Sequence, residues 1–136
     1  MIREPAYPRP LPVINEMNEY FWCGGADGRL RILRCQGCGL YFHPYRVVCA
    51  ACGSRDVKPT PVSGRGEVIS VSVNHQAWFP AVPVPYVLAV VALEEQANIR
   101  LVSNLPISPE EAVAGMRVQV YFERHGEIFL PLFEPA

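Results

Sequence analysis

The arrangement of apolar and polar residues changes near the middle of the chain, and the second half follows patterns typical of strands. From Ile69 to Val73, apolar side chains alternate with serine, which predicts a strand with one buried face. Tyr86 to Leu93 is a nearly continuous apolar run and predicts a strand buried on both faces. The predicted strands cover residues 67–73, 86–93, 98–102, 117–123 and 127–133.

One short helix is predicted between the third and fourth of these strands. Ser108-Pro109-Glu110-Glu111 has the form of a capping box with proline at the first helical position, so the helix begins there and runs to Gly115. Five strands with a helix after the third is the element order of an OB-fold. We therefore predict that residues 63–136 form a five-stranded OB-fold barrel.

Residues 1–28 are predicted to form an extended arm and a short helix. Residues 1–13 contain four prolines, and such a segment is expected to fray unless a partner surface holds it. Asn15 is the predicted cap of a helix that ends at Gly24-Gly25. Its aromatic side chains either pack on their own domain or dock on another protein; they are Tyr20, Phe21 and Trp22.

Two Cys-x-x-Cys pairs, each followed by glycine, lie within residues 34–53. A tetrahedral metal needs four ligands in two close pairs, and a two-residue spacer lets one tight turn direct both thiolates inward. Glycine after the second cysteine suits that turn because it accepts a positive φ. We predict a rubredoxin-like zinc ribbon over residues 29–62, with iron in the same geometry and disulfides as alternatives. The predicted ligands are Cys35, Cys38, Cys49 and Cys52.

The chain has no recognisable signal for secretion or for membrane insertion. Its first residues lack the apolar run of a secretory signal. The longest uncharged stretch, residues 76–93, contains three prolines, which argues against a membrane span. We therefore expect a cytoplasmic protein, whose thiols stay reduced and free for metal. Cys23, the fifth cysteine, is expected to be a small buried hydrophobic residue.

Basic residues are concentrated around the cysteine pairs. Residues 28–66 contain seven basic residues and one acidic residue, whereas the rest of the chain contains five basic and twelve acidic residues. Part of this excess offsets the negative charge that four thiolates leave around Zn²⁺. The other interpretation is an anion site, because the planar fork of arginine suits phosphate. Both interpretations are open.

No combination of residues indicates a self-sufficient active site. The sequence has no Gly-x-Ser-x-Gly elbow, no Walker loop and no dinucleotide fingerprint. His43 lies between the cysteine pairs, but four cysteines already fill a tetrahedral site. We therefore expect His43 to support the metal ligands from outside or to lie at the surface. Glu94-Glu95 is more typical of a solvated turn than of an acid/base pair.

Several short motifs occur in the order found in one known family. They are Arg34-Cys35-x-x-Cys38-Gly39, Phe42-His43-Pro44, Cys49-x-x-Cys52-Gly53, Gly64-Arg65-Gly66-Glu67-Val68, Pro85-Tyr86-Val87, Gly115-Met116-Arg117-Val118 and Pro131-Leu132-Phe133. On these motifs the chain resembles the acyl-CoA-associated family of zinc ribbons and OB-folds, also called domain of unknown function thirty-five. The resemblance covers roughly residues 14–134. One departure is His43-Pro44-Tyr45-Arg46, where relatives more often have Pro-Pro-Arg.

This resemblance implies an accessory role. Similar family members are small subunits that partner thiolase-superfamily enzymes, including thiolases, acetyltransferases and lipid-transfer-protein-like aldolases that cleave steroid side-chain acyl-CoA thioesters. The thiolase-like partner supplies the catalytic residue, and the small subunit contributes assembly and part of the acyl-CoA channel. The family therefore implies a non-catalytic subunit that holds one structural Zn²⁺ and meets a coenzyme A thioester within the complex.

Two groups of residues become candidate contacts under this hypothesis. Arg34, Arg46 and Arg65 would face the phosphates of coenzyme A. The apolar loop at residues 77–83 would cover an acyl chain or a partner surface, because a contiguous apolar patch is costly to leave exposed. Its alternative is to fold back over the mouth of the barrel. The candidate aromatic contacts are Trp78 and Phe79 of this loop, together with Tyr20, Phe21 and Trp22 of the helix.

A module that binds single-stranded nucleic acid is the alternative function, since OB-folds and zinc ribbons often bind single strands. However, Lys58 is the only lysine, the isoelectric point is about 6.3, and the barrel half is acidic. The binding of single strands favours a basic groove, so nucleic acid is not expected as a partner. A membrane is not expected as a partner either, because the sequence offers no membrane span. An independent hydrolase or redox protein is a third possibility, for which the sequence offers no site.

Overall fold

The computed structural model describes residues 1–136 and contains nine strands, one α-helix and two 3₁₀ helices. In chain order the elements are β1 (Ile2–Arg3), α1 (Glu19–Trp22), a first 3₁₀ helix (Gly24–Asp27), β2 (Leu30–Cys35), β3 (Tyr41–Phe42), β4 (Val57–Val62), β5 (Arg65–Asn74), β6 (Tyr86–Leu93), β7 (Arg100–Leu105), a second 3₁₀ helix (Pro109–Glu111), β8 (Arg117–His125) and β9 (Ile128–Pro135). The predicted mainly β fold is confirmed. None of its helices has the length and apolar character needed to cross a membrane.

The strands form two sheets. β2 lies between β3 and β4 in an antiparallel sheet that leads into the first cysteine pair. The other six strands form a sheet in the order β1-β8-β5-β6-β7, in which β9 also pairs with β8. β5 carries an irregularity between Val68 and Ser70, and such a bulge bends a strand. The bend lets β5 pair with β8 at its start and with β6 along its length.

The five strands predicted for the second half are present as β5 to β9, in the order of an OB-fold. The barrel is open, however, because no backbone ladder joins β7 to β9. Pro131 lies within β9 and has no N–H to donate to a neighbour. Its carbonyl instead accepts a hydrogen bond from the Ser103 hydroxyl at 2.7 Å. A side chain thus replaces the ladder at this seam between β7 and β9.

The helix predicted after β7 is reduced to a single 3₁₀ turn, and Ser108 makes no side-chain cap hydrogen bond. The chain leaves the helical path because it must return to β5. The Gly115 N–H donates to the Val68 carbonyl at 2.7 Å, and the Val68 N–H donates to the Met116 carbonyl at 3.0 Å. The prediction of a helix that reaches Gly115 was therefore wrong.

The proline-rich arm lies along its own barrel. β1 pairs in parallel with β8, with Ile2 opposite Phe122. Further along the arm, Arg9 Nε donates to the Glu123 carboxylate at 2.6 Å, and Arg9 Nη1 donates to Asn104 Oδ1 at 3.1 Å. The expectation that the arm frays without a partner was wrong, because the barrel itself anchors the arm at two places.

The aromatic helix is shorter than predicted. Asn15 Oδ1 accepts hydrogen bonds from two backbone N–H groups of a turn that precedes α1, so it closes this turn and does not cap the helix. After α1 the chain continues as a 3₁₀ helix through Gly24 and Gly25, where the helix was expected to end. Gly25 is required there because a Cβ would collide with the ring of Phe122. The predicted cap was therefore wrong, whereas α1 does end just before Gly24, with Cys23 as its C-cap.

The buried residues form two clusters. The larger cluster, the barrel core, has fifteen residues and includes Phe21 of α1 and Leu30 and Ile32 of β2; the smaller cluster, the ribbon core, has four. The two regions are joined at the turn between β6 and β7, where Gln96 accepts from the Tyr41 N–H at 3.0 Å and donates to the Tyr41 carbonyl at 2.8 Å. Tyr20 of α1 packs against both cores. The ribbon therefore sits beside the start of β7.

Candidate metal centre and apolar groove

The two cysteine pairs lie in two matching turns. The Gly39 N–H donates to the Cys35 carbonyl at 2.9 Å, and the Gly53 N–H donates to the Cys49 carbonyl at 2.9 Å. Both glycines have a positive φ, 81° and 75°, as the spacing predicts. The turns direct all four sulfurs toward one point.

The sulfur positions fit a single tetrahedral ion. All four Sγ atoms lie within 4.8 Å of one another. The sulfurs of Cys35 and Cys52 are 3.5 Å apart, and those of Cys38 and Cys49 are 3.7 Å apart. A tetrahedral zinc ion with Zn–S bonds of about 2.3 Å requires sulfurs about 3.8 Å apart. The structure thus brings the predicted ligands together in a geometry that suits zinc.

Backbone N–H groups favour the thiolate form of the first cysteine in each pair. Cys35 and Cys49 are buried, whereas Cys38 and Cys52 are exposed. The Cys38 N–H lies 3.5 Å from Cys35 Sγ, and this hydrogen bond is the main cause that lowers the pKa of Cys35 to about 6. The Cys52 N–H lowers the pKa of Cys49 in the same way. The turns therefore stabilise the form of cysteine that binds a metal.

The three candidate arginines have different surroundings. Arg34 donates to the Gly39 carbonyl at 3.0 Å, and its guanidinium lies 4.6 Å from the ring centroid of Tyr41. Arg65 forms an ion pair with Glu94 at 2.8 Å, and this partner raises the pKa of Arg65. Arg46 is exposed and takes part in none of the ion pairs. No hydrogen bond brings these three side chains together.

An apolar groove with a volume of about 640 Å³ follows the open seam between β7 and β9. Val102 of β7 and Leu130 and Leu132 of β9 line it, and residues 9–12 of the arm form one side. Phe79, from the loop between β5 and β6, also lines it. Its size and mostly apolar lining are typical of small-molecule sites.

Two polar groups in this groove were not predicted as ligand contacts. Arg100 lines the groove and takes part in none of the ion pairs. His43 also lines it, and its Nδ1 is buried without a hydrogen-bond partner. Burial lowers the pKa of His43, which favours the neutral ring. Arg100 was not identified from the sequence because it lies outside the basic segment at residues 28–66. His43 was considered in the sequence only as a neighbour of the metal ligands.

The aromatic candidates are divided between core, groove and surface. Phe21 is 7% exposed and belongs to the barrel core. Trp22 and Phe79 line the groove, whereas Tyr20 is half-buried between the two cores. Trp78 is 70% exposed. In the loop at residues 77–83, Phe79 therefore lines the groove while it is still 54% exposed, and Trp78 lies on the surface.

Two family models match consecutive parts of the chain. Residues 22–58 match the rubredoxin-like zinc ribbon domain of ChsH2. Residues 59–123 match the C-terminal OB-fold domain of ChsH2. The boundary between the two matches falls at the beginning of β4.

Two curated relatives are longer than the part this chain matches. A probable enoyl-CoA hydratase alpha subunit from Thermomonospora curvata is 38% identical over 136 residues, which is 98% of this chain and 42% of that protein. A DUF35 domain-containing scaffold protein from Methanocaldococcus jannaschii is 34% identical over 94 residues, which is 68% of this chain and 66% of that protein. The chain thus spans less than two thirds of the length of these relatives.

One solved structure matches nearly end to end. A chain of the Ltp2–ChsH2 (DUF35) aldolase superposes with a TM-score of 0.83 at 38% sequence identity, covering 93% of this chain and 99% of that chain. The agreement in ribbon, OB-fold and sequence is too extensive for a shared fold alone. This chain belongs to the ChsH2 (DUF35) family, in which a zinc ribbon is followed by an OB-fold.

Proposed function

We propose that the chain is a non-catalytic accessory subunit of a thiolase-like aldolase or acyltransferase that acts on acyl-CoA thioesters. The observation that carries this proposal is the likeness to a chain of the Ltp2–ChsH2 (DUF35) aldolase, at 38% identity over 99% of that chain. A likeness of this length covers the zinc ribbon and the OB-fold together. It therefore supports a shared role in addition to a shared fold.

The names of the other relatives support the substrate class and the role. The T. curvata relative is a probable enoyl-CoA hydratase alpha subunit, which names both a CoA thioester and a subunit. The M. jannaschii relative is a scaffold protein. On this basis we propose that this chain has an assembly role in the breakdown of steroid side chains or other lipids.

One zinc ion held by the four cysteines is part of the proposal. With four protein ligands, bound zinc supplies a tetrahedral link between the two turns and keeps no open position for substrate. The chain's own contribution is the pair of backbone N–H groups that favour the thiolates of Cys35 and Cys49. Thiols of this kind stay reduced in the cytoplasm, where we propose that the protein acts.

The surface around Trp78 is the proposed contact with the thiolase-like partner. Its indole is 70% exposed, and large aromatic side chains dominate the energetics of interfaces. The neighbouring Phe79 and, across the groove, Trp22 are proposed to extend this contact or to touch an acyl chain. Phe21 supports the position of Trp22, because the two rings pack edge to face with centroids 4.8 Å apart, and Tyr20 packs against Phe21 in turn.

The coenzyme A phosphates are proposed to meet arginines near the ribbon. Arg46 is the strongest of the three candidates, because its guanidinium has no carboxylate partner. Arg65 would first have to give up its ion pair with Glu94 before it could bind a phosphate. Arg34 already donates to the Gly39 carbonyl. Loss of a productive charged hydrogen bond costs about 1.5–3 kcal/mol, so Arg46→Ala should weaken acyl-CoA binding by the complex more than Arg65→Ala does.

The test is co-expression of the tagged chain with a thiolase-superfamily enzyme of the same genome, followed by measurement of the dissociation constant. We expect a stable complex that Trp78→Ala weakens by about 2 kcal/mol. Val113→Ala is the matched control, since Val113 is another exposed apolar residue. A chain that binds no thiolase-superfamily enzyme but binds single-stranded oligonucleotides would contradict the proposal.

A further inference from the structure

The apolar groove has two ends of different character. β7 begins at Arg100, directly after the turn in which Gln96 holds Tyr41 of the ribbon. The groove therefore has a ribbon end near Arg100 and an opposite end near Asn104. The strand advances four steps from Arg100 to Asn104, a length of about 13 Å.

The seam between these ends has an apolar lining. Val102, at the middle of this path, is 72% exposed, an unusual position for a valine that lines a concave surface. Leu130 and Leu132 lie on the neighbouring strand, and Phe79 and Val82 come from the loop that precedes β6. No backbone ladder covers the seam. An elongated apolar ligand is the kind of molecule that fits this space.

The ribbon end has one charged group, Arg100, that forms no ion pair within the protein. The carboxylates of the chain that form ion pairs are Asp27, Asp56, Glu94, Glu123 and Glu134, and none of them pairs with Arg100. His43 Nδ1 is the one buried side-chain nitrogen or oxygen in the structure without a hydrogen-bond partner. Because this atom is enclosed by the protein, a ligand in the open groove would contact Arg100 and not His43 Nδ1.

By contrast, the arginine at the opposite end is already satisfied. Arg9 is bound to both Glu123 and Asn104. A ligand anion there would have to compete with a carboxylate at 2.6 Å. The charge of the groove is therefore complementary to an anion at the ribbon end only.

We propose that the groove binds an apolar carboxylic acid, with its carboxylate against Arg100 and its chain along the seam between β7 and β9. This site goes beyond the proposed role in the thiolase-like complex and does not depend on it. The apolar chain supplies affinity by burial, and the charged hydrogen bond to arginine sets the direction in which the ligand lies.

The test uses the full chain and measures the fluorescence of Trp22, which lines the groove. A Trp78→Phe background removes the other tryptophan signal, and the probes are hexanoate, octanoate, decanoate and decanol. We expect saturable binding of one decanoate per chain, with affinity rising up to about fourfold for each added methylene. Decanol should bind at least tenfold more weakly, since it lacks the charge.

Two variants test separately how the carboxylate and the apolar chain of the ligand contribute to binding. Arg100→Gln should weaken decanoate tenfold or more and leave decanol unchanged, whereas Arg117→Gln, an exposed arginine outside the groove, should change neither. Val102→Asp should abolish binding of both, and Val113→Asp is its control.

Three results would overturn the proposal: no saturable binding, equal affinities for decanol and decanoate, or an Arg100→Gln variant that binds decanoate normally. Decanoyl-CoA that binds more tightly than decanoate, with an affinity insensitive to Arg100→Gln, would also overturn the carboxylate assignment.

Discussion

The ribbon and the barrel are stabilised by different means. The barrel core consists of fifteen buried residues, including Phe122 and Phe133 with no exposed surface. The ribbon core has four, and two of these are the cysteines Cys35 and Cys49. These two cysteines are therefore two of the four ribbon-core residues and also two of the four predicted metal ligands. A region this small depends on its metal, whereas the barrel has enough apolar burial to hold its own shape.

The largest effect should come from losing one metal ligand. Cys38→Ser should release the metal and unfold residues 29–62, because the binding free energy of structural zinc, about 10–16 kcal/mol in isolated fingers, is also folding free energy. The barrel should stay folded although it loses the burial of Leu30 and Ile32, which β2 contributes to its core. Elemental analysis and amide NMR spectra check both parts, with Cys23→Ser as the control since Cys23 lies outside the cysteine cluster. A variant that keeps stoichiometric zinc, or a barrel that melts with the ribbon, would contradict the comparison.

The next largest effect should come from the barrel core. Phe122→Ala removes a fully buried ring and should lower the free energy of unfolding by about 3–5 kcal/mol, as large-to-small core substitutions do. Urea denaturation measures the loss, and the zinc content should not change. If the substitution released zinc under native conditions, the two regions would not be independent.

A smaller effect should come from the arm. Arg9→Ala leaves Glu123, which is 7% exposed, without its arginine and should lower the free energy of unfolding by about 1–3 kcal/mol. The arm should also become sensitive to limited proteolysis. Arg3→Ala is the control, because its ion pair with Glu134 is more exposed and should contribute less than about 1 kcal/mol. Equal losses for the two variants would show that the arm is not anchored at Arg9.

The smallest effect should come from the joint between ribbon and barrel, which is the contact of Gln96 with the Tyr41 backbone. Gln96→Ala removes two hydrogen bonds to the Tyr41 backbone and should lower the free energy of unfolding by about 1–2 kcal/mol. Zinc content should not change, while the amide signals of residues 40–43 should shift. Gln76→Ala, in the exposed loop, is the matched control. Unchanged signals in the Gln96→Ala variant would place the joint elsewhere.

Local chemistry in the sequence was sufficient to predict the cysteine turns and the strands. The two-residue spacing and the following glycines determine the conformation of each turn, as the φ values of Gly39 and Gly53 illustrate. Alternation and apolar runs identified β5 to β9 because each strand has a defined buried face. The boundaries at residues 28/29 and 62/63 stay predictions.

The predictions that were wrong concern features that depend on contacts between residues far apart in the sequence. The helix at Ser108 ends early because Gly115 and Met116 bond to Val68, some forty-seven residues away. The arm is ordered by Glu123, which no pattern in residues 1–13 reveals. The open seam depends on Pro131 facing Ser103, a pairing that only the folded sheet defines. The groove arises from all of these contacts, so its lining could not be read from any one segment.

The most direct test of the accessory role is acyl-CoA turnover by this chain alone, by a thiolase-like partner alone and by the two together. We predict no turnover by the chain, because its proposed role is accessory, and a substantial increase in the partner's rate or acyl-CoA affinity when the chain is added. Turnover by the purified chain alone, or a partner whose activity and affinity ignore the chain, would contradict the proposal.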